Sequence, residues 1–417
     1  MEIDWRRRQW QGYQREAEAA RQRLAAGERS PPFLRRVMQL LYTYFHSPRA
    51  ESEAQVAADP LVQLAFTIHA YTHHLGEWQM MAAIFHAAAA MLKGSPHQLA
   101  YVDLVRALAI NLTNLGQHTQ AQALFDDVME RDDFARLPVT AQADLLVHAG
   151  TCHVWHGNRD RAQTLLQRAV TIMAATGDHP VYRTQPDANG IYSFASATQL
   201  WESRAYAFNQ LGCLALFEGR FAEAEAHYRQ CHDLLVVHDG PDNLACVAQQ
   251  ALGRLRLYQG RYAEAEAILA RGLTIRRRRQ ERPNIALNAI YLAGAHLGLG
   301  NAPMAERLLS EAMTIICDLD LTETSALCHL YLGQLKLVRG HEEAAKPHWR
   351  QALALLRTVG TPLVELRPLV VHLPWLLRKR QWGLFLAACR QLLRSIYCQR
   401  LGPVAVWRLA RHFGARM

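Results

Sequence analysis

The string Gly219-Arg220-Phe221-Ala222-Glu223-Ala224-Glu225-Ala226 returns as Gly260-Arg261-Tyr262-Ala263-Glu264-Ala265-Glu266-Ala267, 41 residues later. A self-similar period of this length restricts a chain to stacked copies of one supersecondary unit, none of which can bury its apolar face alone. With the glycine as anchor, the series runs Gly76, Gly116, Gly157, Gly219, Gly260, Gly300 and Gly340, at steps of 40, 41, 62, 41, 40 and 40. The single long step carries about 21 extra residues, which map to 176–200.

Positions around each anchor repeat as well. Five residues after it stand Met81, Ala121, Ala162, Ala224, Ala265, Ala305 and Ala345; nine after it stand Phe85, Phe125, Leu166, Tyr228, Leu269, Leu309 and Trp349. Eight and seven before it stand pairs such as Leu211-Gly212, Leu252-Gly253, Leu292-Ala293 and Leu332-Gly333. The glycine ends one helix in a left-handed turn without a Cβ penalty, small residues let two helices approach, and the large residue fills the gap. This pattern resembles the tetratricopeptide motif, over roughly residues 62–359. The step exceeds that motif's usual length of about 34. It implies helices about a turn longer, similar to sensor regions of large ATP-dependent bacterial transcription activators and of peptide-sensing Rap-like regulators. The expected fold class is all-α, a right-handed α-solenoid of about seven helical hairpins with helical caps at both ends. Met81 and His69 are the first repeat's departures from the pattern.

The expected domains are an N-terminal helical cap (1–61), the array (62–360, with the insertion 176–200) and a basic C-terminal helical cap (361–417). Upstream, Ile3, Trp10, Ala17 and Leu24 recur at heptad spacing, so 2–26 reads as an amphipathic helix, broken by Pro31-Pro32 before a second helix over 33–45. The insertion holds Gly177, Pro180, Pro186 and Gly190 with Tyr182, Tyr192 and Phe194 and reads as an ordered loop. Downstream, Pro362, Pro368 and Pro374 break the rhythm before helices expected over 375–399 and 403–413.

Half of the 417 residues are hydrophobic, enough for a substantial core. The formal charge of +9 is concentrated: from Arg367 onward there are ten Arg or Lys and no Asp or Glu, which leaves the body neutral. The first ten residues carry three arginines and lack the apolar run of a signal peptide or membrane helix, so a cytoplasmic location is expected, with no transmembrane segment. Eight cysteines without a CxxC pair read as reduced, mostly buried thiols.

No nucleotide-binding, hydrolase, zincin or EF-hand signature is present, so no enzyme activity and no cofactor is expected. Gly294, Gly298 and Gly300 belong to helix packing. His148, Cys152 and His156 form a stripe at i, i+4, i+8 but lack a partner cluster, and no metal is assigned.

What the resemblance implies about binding is a concave groove lined by residues thirteen, ten and six before each anchor. In repeats two to five these slots hold Asp103, Arg106, Asp144, Thr151, Tyr206, Asn209, Gln250 and Arg254, a polar lining; an amide and guanidinium ladder of Asn209, Gln250 and Arg254 suits an extended peptide backbone. In the last two repeats they hold Leu287, Ile290, Gly294, Leu327 and Leu330, with Gln334 the sole polar side chain. An exposed apolar wall of this kind needs a cover, and the apolar face of 375–413 is expected to fold back over it with arginines outward.

Arg378, Lys379, Arg380, Arg390 and Arg394, interleaved with Trp375, Trp382, Phe385 and Tyr397, suit either an anionic partner or a docked amphipathic cap. The expected function is a non-catalytic interaction scaffold or adaptor binding a peptide or protein segment in the groove. The alternatives are a ligand- or peptide-sensing regulator, and a nucleic-acid-associated component acting through the basic tail. No oligomeric state is assigned.

Overall fold

The computed structural model describes residues 2–28, 30–47, 60–93, 98–131, 134–176, 200–238, 242–358 and 362–414; the insertion expected at 176–200 lies outside them except for its two end residues. The regular elements among the described residues are all helical. The chain divides into two compact units, residues 1–148 with 178–200, and residues 149–177 with 201–417.

The first unit holds α1 (Glu2–Ala25), α2 (Pro31–His46), α3 (Pro60–Leu75), α4 (Trp78–Leu92), α5 (Gln98–Asn114), α6 (His118–Met129) and the start of α7 (Val139–His156). One stripe of α1 is buried, through Ala17, Ala20 and Leu24, and the Trp10 indole donates to the Tyr44 hydroxyl of α2 at 3.3 Å. Met81 packs fully buried where the other repeats carry alanine, and His69 meets Asn111 at 3.0 Å, so the first repeat absorbs both departures.

The second unit continues with α8 (Arg159–Thr176), α9 (Leu200–Phe217), α10 (Phe221–Val237), α11 (Asp242–Tyr258), α12 (Tyr262–Arg278), α13 (Arg282–Gly298), α14 (Ala302–Leu319), α15 (Thr322–Val338), α16 (Glu342–Leu355), a 3-10 turn (Leu363–Leu366), α17 (Arg367–Arg378), α18 (Trp382–Cys398) and α19 (Pro403–Gly414). The anchor glycines do what their spacing requires. Gly260, at φ 69°, donates its N–H to the Leu257 carbonyl at 3.0 Å while Arg261 reaches back to Arg256 at 2.9 Å, closing α11 before α12 begins. Within a hairpin, the glycine seven before the anchor lies under the large residue nine after it. A Cβ on Gly212 would stand 2.4 Å from the Tyr228 ring, and one on Gly333 2.2 Å from the Trp349 indole nitrogen. Burying an indole or phenol this closely holds the two helices of these hairpins together.

The rhythm runs further than the glycines do. Arg380 takes a left-handed turn, φ 53°, forty residues after Gly340, and it splits the helix expected over 375–399 into α17 and α18. Gln280, Asp320 and Arg400 repeat the same geometry at the turns between hairpins, with φ of 55°, 52° and 46°. Because an arginine stands where the other repeats have glycine, the eighth turn lacks the residue that marks the others in the sequence. The unit's end returns to its beginning: Arg159 donates to the Arg400 carbonyl at 3.4 Å, and Leu409 of α19 is fully buried, its Cγ 3.2 Å from where a Gly219 Cβ would lie.

Candidate functional site

Three of the polar residues expected to line a groove gather in the first unit. Arg106 bridges to Asp144 at 2.9 Å and lies 3.9 Å from Asp103, and His148 adds a 3.6 Å contact to Asp144. Burial, with the Arg106 charge adding to it and the Asp144 charge opposing it, pushes the His148 imidazole down to about 4, so it is neutral at pH 7. These charges answer one another from α5 to α7.

In the second unit the first helices of successive hairpins, α9, α11, α13 and α15, form a wall. Tyr206, Gln250 and Gln334 are half-buried on these helices and Asn209 is buried. Arg254 does not stand free as the sequence pattern predicts. It is buried, and its guanidinium donates to Glu365 Oε1 at 3.2 Å and to Cys213 Sγ at 3.1 Å. The Glu365 carboxylate also accepts from the Tyr291 hydroxyl at 3.2 Å and from the Tyr258 hydroxyl. Burial first, and the Glu365 charge second, push both phenols far above their ordinary range, so they remain donors. The 3-10 turn thus inserts one carboxylate among three donors from α11 and α13. Arg254 as a donor to a peptide backbone is therefore corrected: it already has an intramolecular partner. Glu365 went unnoticed in the sequence, although it is the last carboxylate of the chain and lies within the apolar run Leu363-Val364-Glu365-Leu366.

The cover expected from 375–413 is also corrected. Glu365 and Leu356, from the segment joining α16 to α17, lie against the apolar wall of α13 and α15 and leave a cavity of about 90 Å³. It is lined by Trp155, Leu287, Tyr291, Leu327, Leu330 and Leu356, with Glu323, Thr324 and Glu365 as its polar members. That size lies between the about 10–15 Å³ needed by a water and the roughly 150 Å³ that admits benzene, so it suits a short aliphatic group. Glu323 has no hydrogen bond or ion pair to another described residue. Glu323 is exposed as a residue. Protein nonetheless surrounds it closely enough that desolvation, aided by Glu365 and opposed by Arg254, pushes it up to about 7. It stands one helical turn before the thirteen-back slot, which is why the slot rule missed it.

Arg378, Lys379, Arg380, Arg390 and Arg394 are exposed on α17, α18 and the turn between them; Lys379 pairs with Glu342 at 3.1 Å. The free cysteines include exposed Cys317 and Cys398, and Cys152, Cys213, Cys231, Cys246 and Cys328 are buried. Among the described residues, no three His, Cys, Asp or Glu side chains assemble to hold a metal, and no helix is long and apolar enough to cross a membrane.

Residues 203–278, spanning most of α9 to α12, match the tetratricopeptide repeat family model. Over these residues the chain carries tetratricopeptide repeats. No curated protein matches it in sequence. Among solved structures, it is similar to the Rap conjugation gene regulator of plasmid pLS20 in complex with the Phr* peptide, at 12% identity and a TM-score of 0.50, covering 93% of this chain and 98% of that one. Aspartyl phosphate phosphatase F from Bacillus subtilis gives 12% identity and a TM-score of 0.50 over 94% of this chain and 92% of that one. The APC/C hetero-tetramer Cut9–Hcn1 gives 13% identity and a TM-score of 0.51 over 90% of this chain and 62% of that one. At these identities the likeness is one of fold, an all-helical array of tetratricopeptide type.

Proposed function

We propose that this chain is a non-catalytic binding protein whose α13–α15 wall receives a peptide or protein segment, placing a cationic group against Glu323 and a short aliphatic side chain in the adjoining cavity. The observation that carries this reading is Glu323 itself, a carboxylate beside an apolar cavity with no hydrogen bond or ion pair to another described residue. A cation seated beside Glu323 favours its ionised form, so binding displaces the proton that desolvation favours and strengthens as pH rises. Tyr206, Asn209, Gln250 and Gln334 extend the polar lining along α9, α11 and α15. The plasmid regulator of similar fold is itself seen with a peptide.

A selection of displayed random peptides against the full chain tests the reading. Enriched sequences are expected to pair Lys, Arg or a free amino terminus with a neighbouring Val, Ile or Leu. Glu323→Gln is expected to weaken the selected peptide at least about tenfold, the scale of one lost charge-assisted hydrogen bond. Selected peptides indifferent to Glu323→Gln and to Leu287→Asp would place the site elsewhere.

The regulatory reading is favoured by one contact. Glu365 borders the cavity while holding Arg254, so a ligand seated there touches the residue that fastens the 3-10 turn to the wall. On that reading peptide binding alters protection of 362–366 from hydrogen exchange; on the adaptor reading it does not.

A further inference from the structure

Helix α18 is amphipathic in the wrong sense. The stripe facing the protein consists of Leu384, Ala388, Gln391 and Ser395, all buried, and Gln391 donates to the Leu356 carbonyl at 3.3 Å. The opposite stripe consists of Trp382, Leu386, Leu393 and Tyr397, which are 54%, 50%, 65% and 85% exposed. With 3.6 residues per turn, positions i, i+4, i+11 and i+15 fall on one line along the helix. The first residues of α19 add Val404 and Trp407, 60% and 59% exposed. Single exposed apolar residues are ordinary, but a continuous row with large aromatics marks an interaction surface.

The charges around the row say what it meets. Arg378, Lys379 and Arg380 stand at the start of α18, Arg390 and Arg394 along its flank, Arg400 at its end, and Arg408 and Arg411 on α19, all exposed. Arg411 lies over the Trp407 ring, 5.4 Å from its centroid. No carboxylate occurs after Glu365. We propose that the outward face of α18, extended by the start of α19, docks on the surface of a bilayer containing anionic phospholipid. Leu386 and Leu393 enter the acyl boundary, Trp382, Tyr397 and Trp407 sit at headgroup level, and the arginines contact lipid phosphates. Nucleic acid answers the arginines but leaves Leu386 and Leu393 without an apolar counterpart. A second copy of the chain answers the leucines but opposes arginine to arginine.

The test uses the full chain with vesicles of phosphatidylcholine alone and of phosphatidylcholine with about one-third phosphatidylserine. Co-sedimentation and a blue shift of tryptophan emission are expected with the mixed vesicles, at least about tenfold stronger than with phosphatidylcholine, and reduced but not abolished by salt. Leu386→Glu with Leu393→Glu is expected to lose this binding at an unchanged thermal midpoint; Leu386→Ser with Leu393→Ser, which adds no charge, is expected to lose most of it. Four results would overturn the proposal. Wild-type chain ignores both vesicles; vesicle binding is unaffected by either double variant; salt abolishes it completely, which leaves only electrostatics; or the double variants instead remove a concentration-dependent dimer, which makes the face an interface between copies.

Discussion

The hairpins α15–α16 and α17–α18 follow each other in one array and share its forty-residue step, yet they differ in what their side chains meet. In the first, Gly333 lies under Trp349, the inner wall is covered by the segment that carries Glu365, and large apolar residues find neighbours on both sides. In the second, an arginine makes the turn, Gly383 has nothing within 4 Å of where a Cβ would stand, and the apolar row of α18 faces water. A helix in an array buries its outer face only where another element packs on it, so equal sequence patterns yield core in one place and surface in the other.

The sharpest break between the two regions is expected at Glu365. Glu365→Ala leaves Arg254 buried without its carboxylate, a change that costs about 3–5 kcal/mol in comparable pairs. Urea denaturation of the variant is expected to show that loss. Lys379→Ala, which cuts the exposed Lys379–Glu342 pair of the terminal hairpin, is expected to leave the midpoint unmoved. Equal effects at the two sites would mean that Glu365 is not the buried hub described above.

Next come two glycines. Gly333→Ala drives a methyl into the Trp349 indole and is expected to cost about 1–3 kcal/mol, the range for overpacked cores. Gly383→Ala meets open space in the first turn of α18 and is expected to stabilise by about 0.5–1 kcal/mol, through lost freedom of the unfolded chain. Thermal melts of the two variants should move in opposite directions. Movement in the same direction would show that α18 packs more closely than its open face indicates.

Much of the fold was legible because its causes are local. The glycine turns, the alanine five residues on, and the pairing of Gly212 with Tyr228 or Gly333 with Trp349 each follow from spacing within one hairpin. The Arg380 turn was not legible, since a left-handed arginine carries no mark that distinguishes it from a helical one. The Arg254–Glu365 pair joins residues 111 apart and depends on where the segment after α16 lies. The orientation of α18 was misread for the opposite reason: sequence pattern places large apolar residues inward, and here Ala388 and Ser395 take the packed side. Glu323 was missed by a single helical turn.

The smallest expected difference is a pH slope, and its sign separates the covered wall from the terminal hairpin. Glu323 titrates near 7 in the folded chain against an ordinary 4.5, so between those values the folded state holds a proton that the unfolded state has released. Its contribution to stability is therefore present below about 4.5 and lost as pH rises through about 7. Glu323 is an exposed residue and water screens its charge, so the slope is expected to be shallow and its sign is the readout. His372 on α17 works in the other direction. Burial first, then Arg367, push it down to about 4, so stability falls as pH drops from 6.5 toward 4. Subtracting the stability of wild-type chain from that of Glu323→Gln, measured by urea denaturation from pH 4 to 8, cancels His372 and isolates the wall. The difference is expected to rise with pH up to about 7 and then flatten. A peptide that pairs with Glu323 should reverse it, since the bound cation favours the ionised carboxylate and binding strengthens over the same interval. A flat difference with and without peptide would mean that Glu323 is solvated like any surface carboxylate.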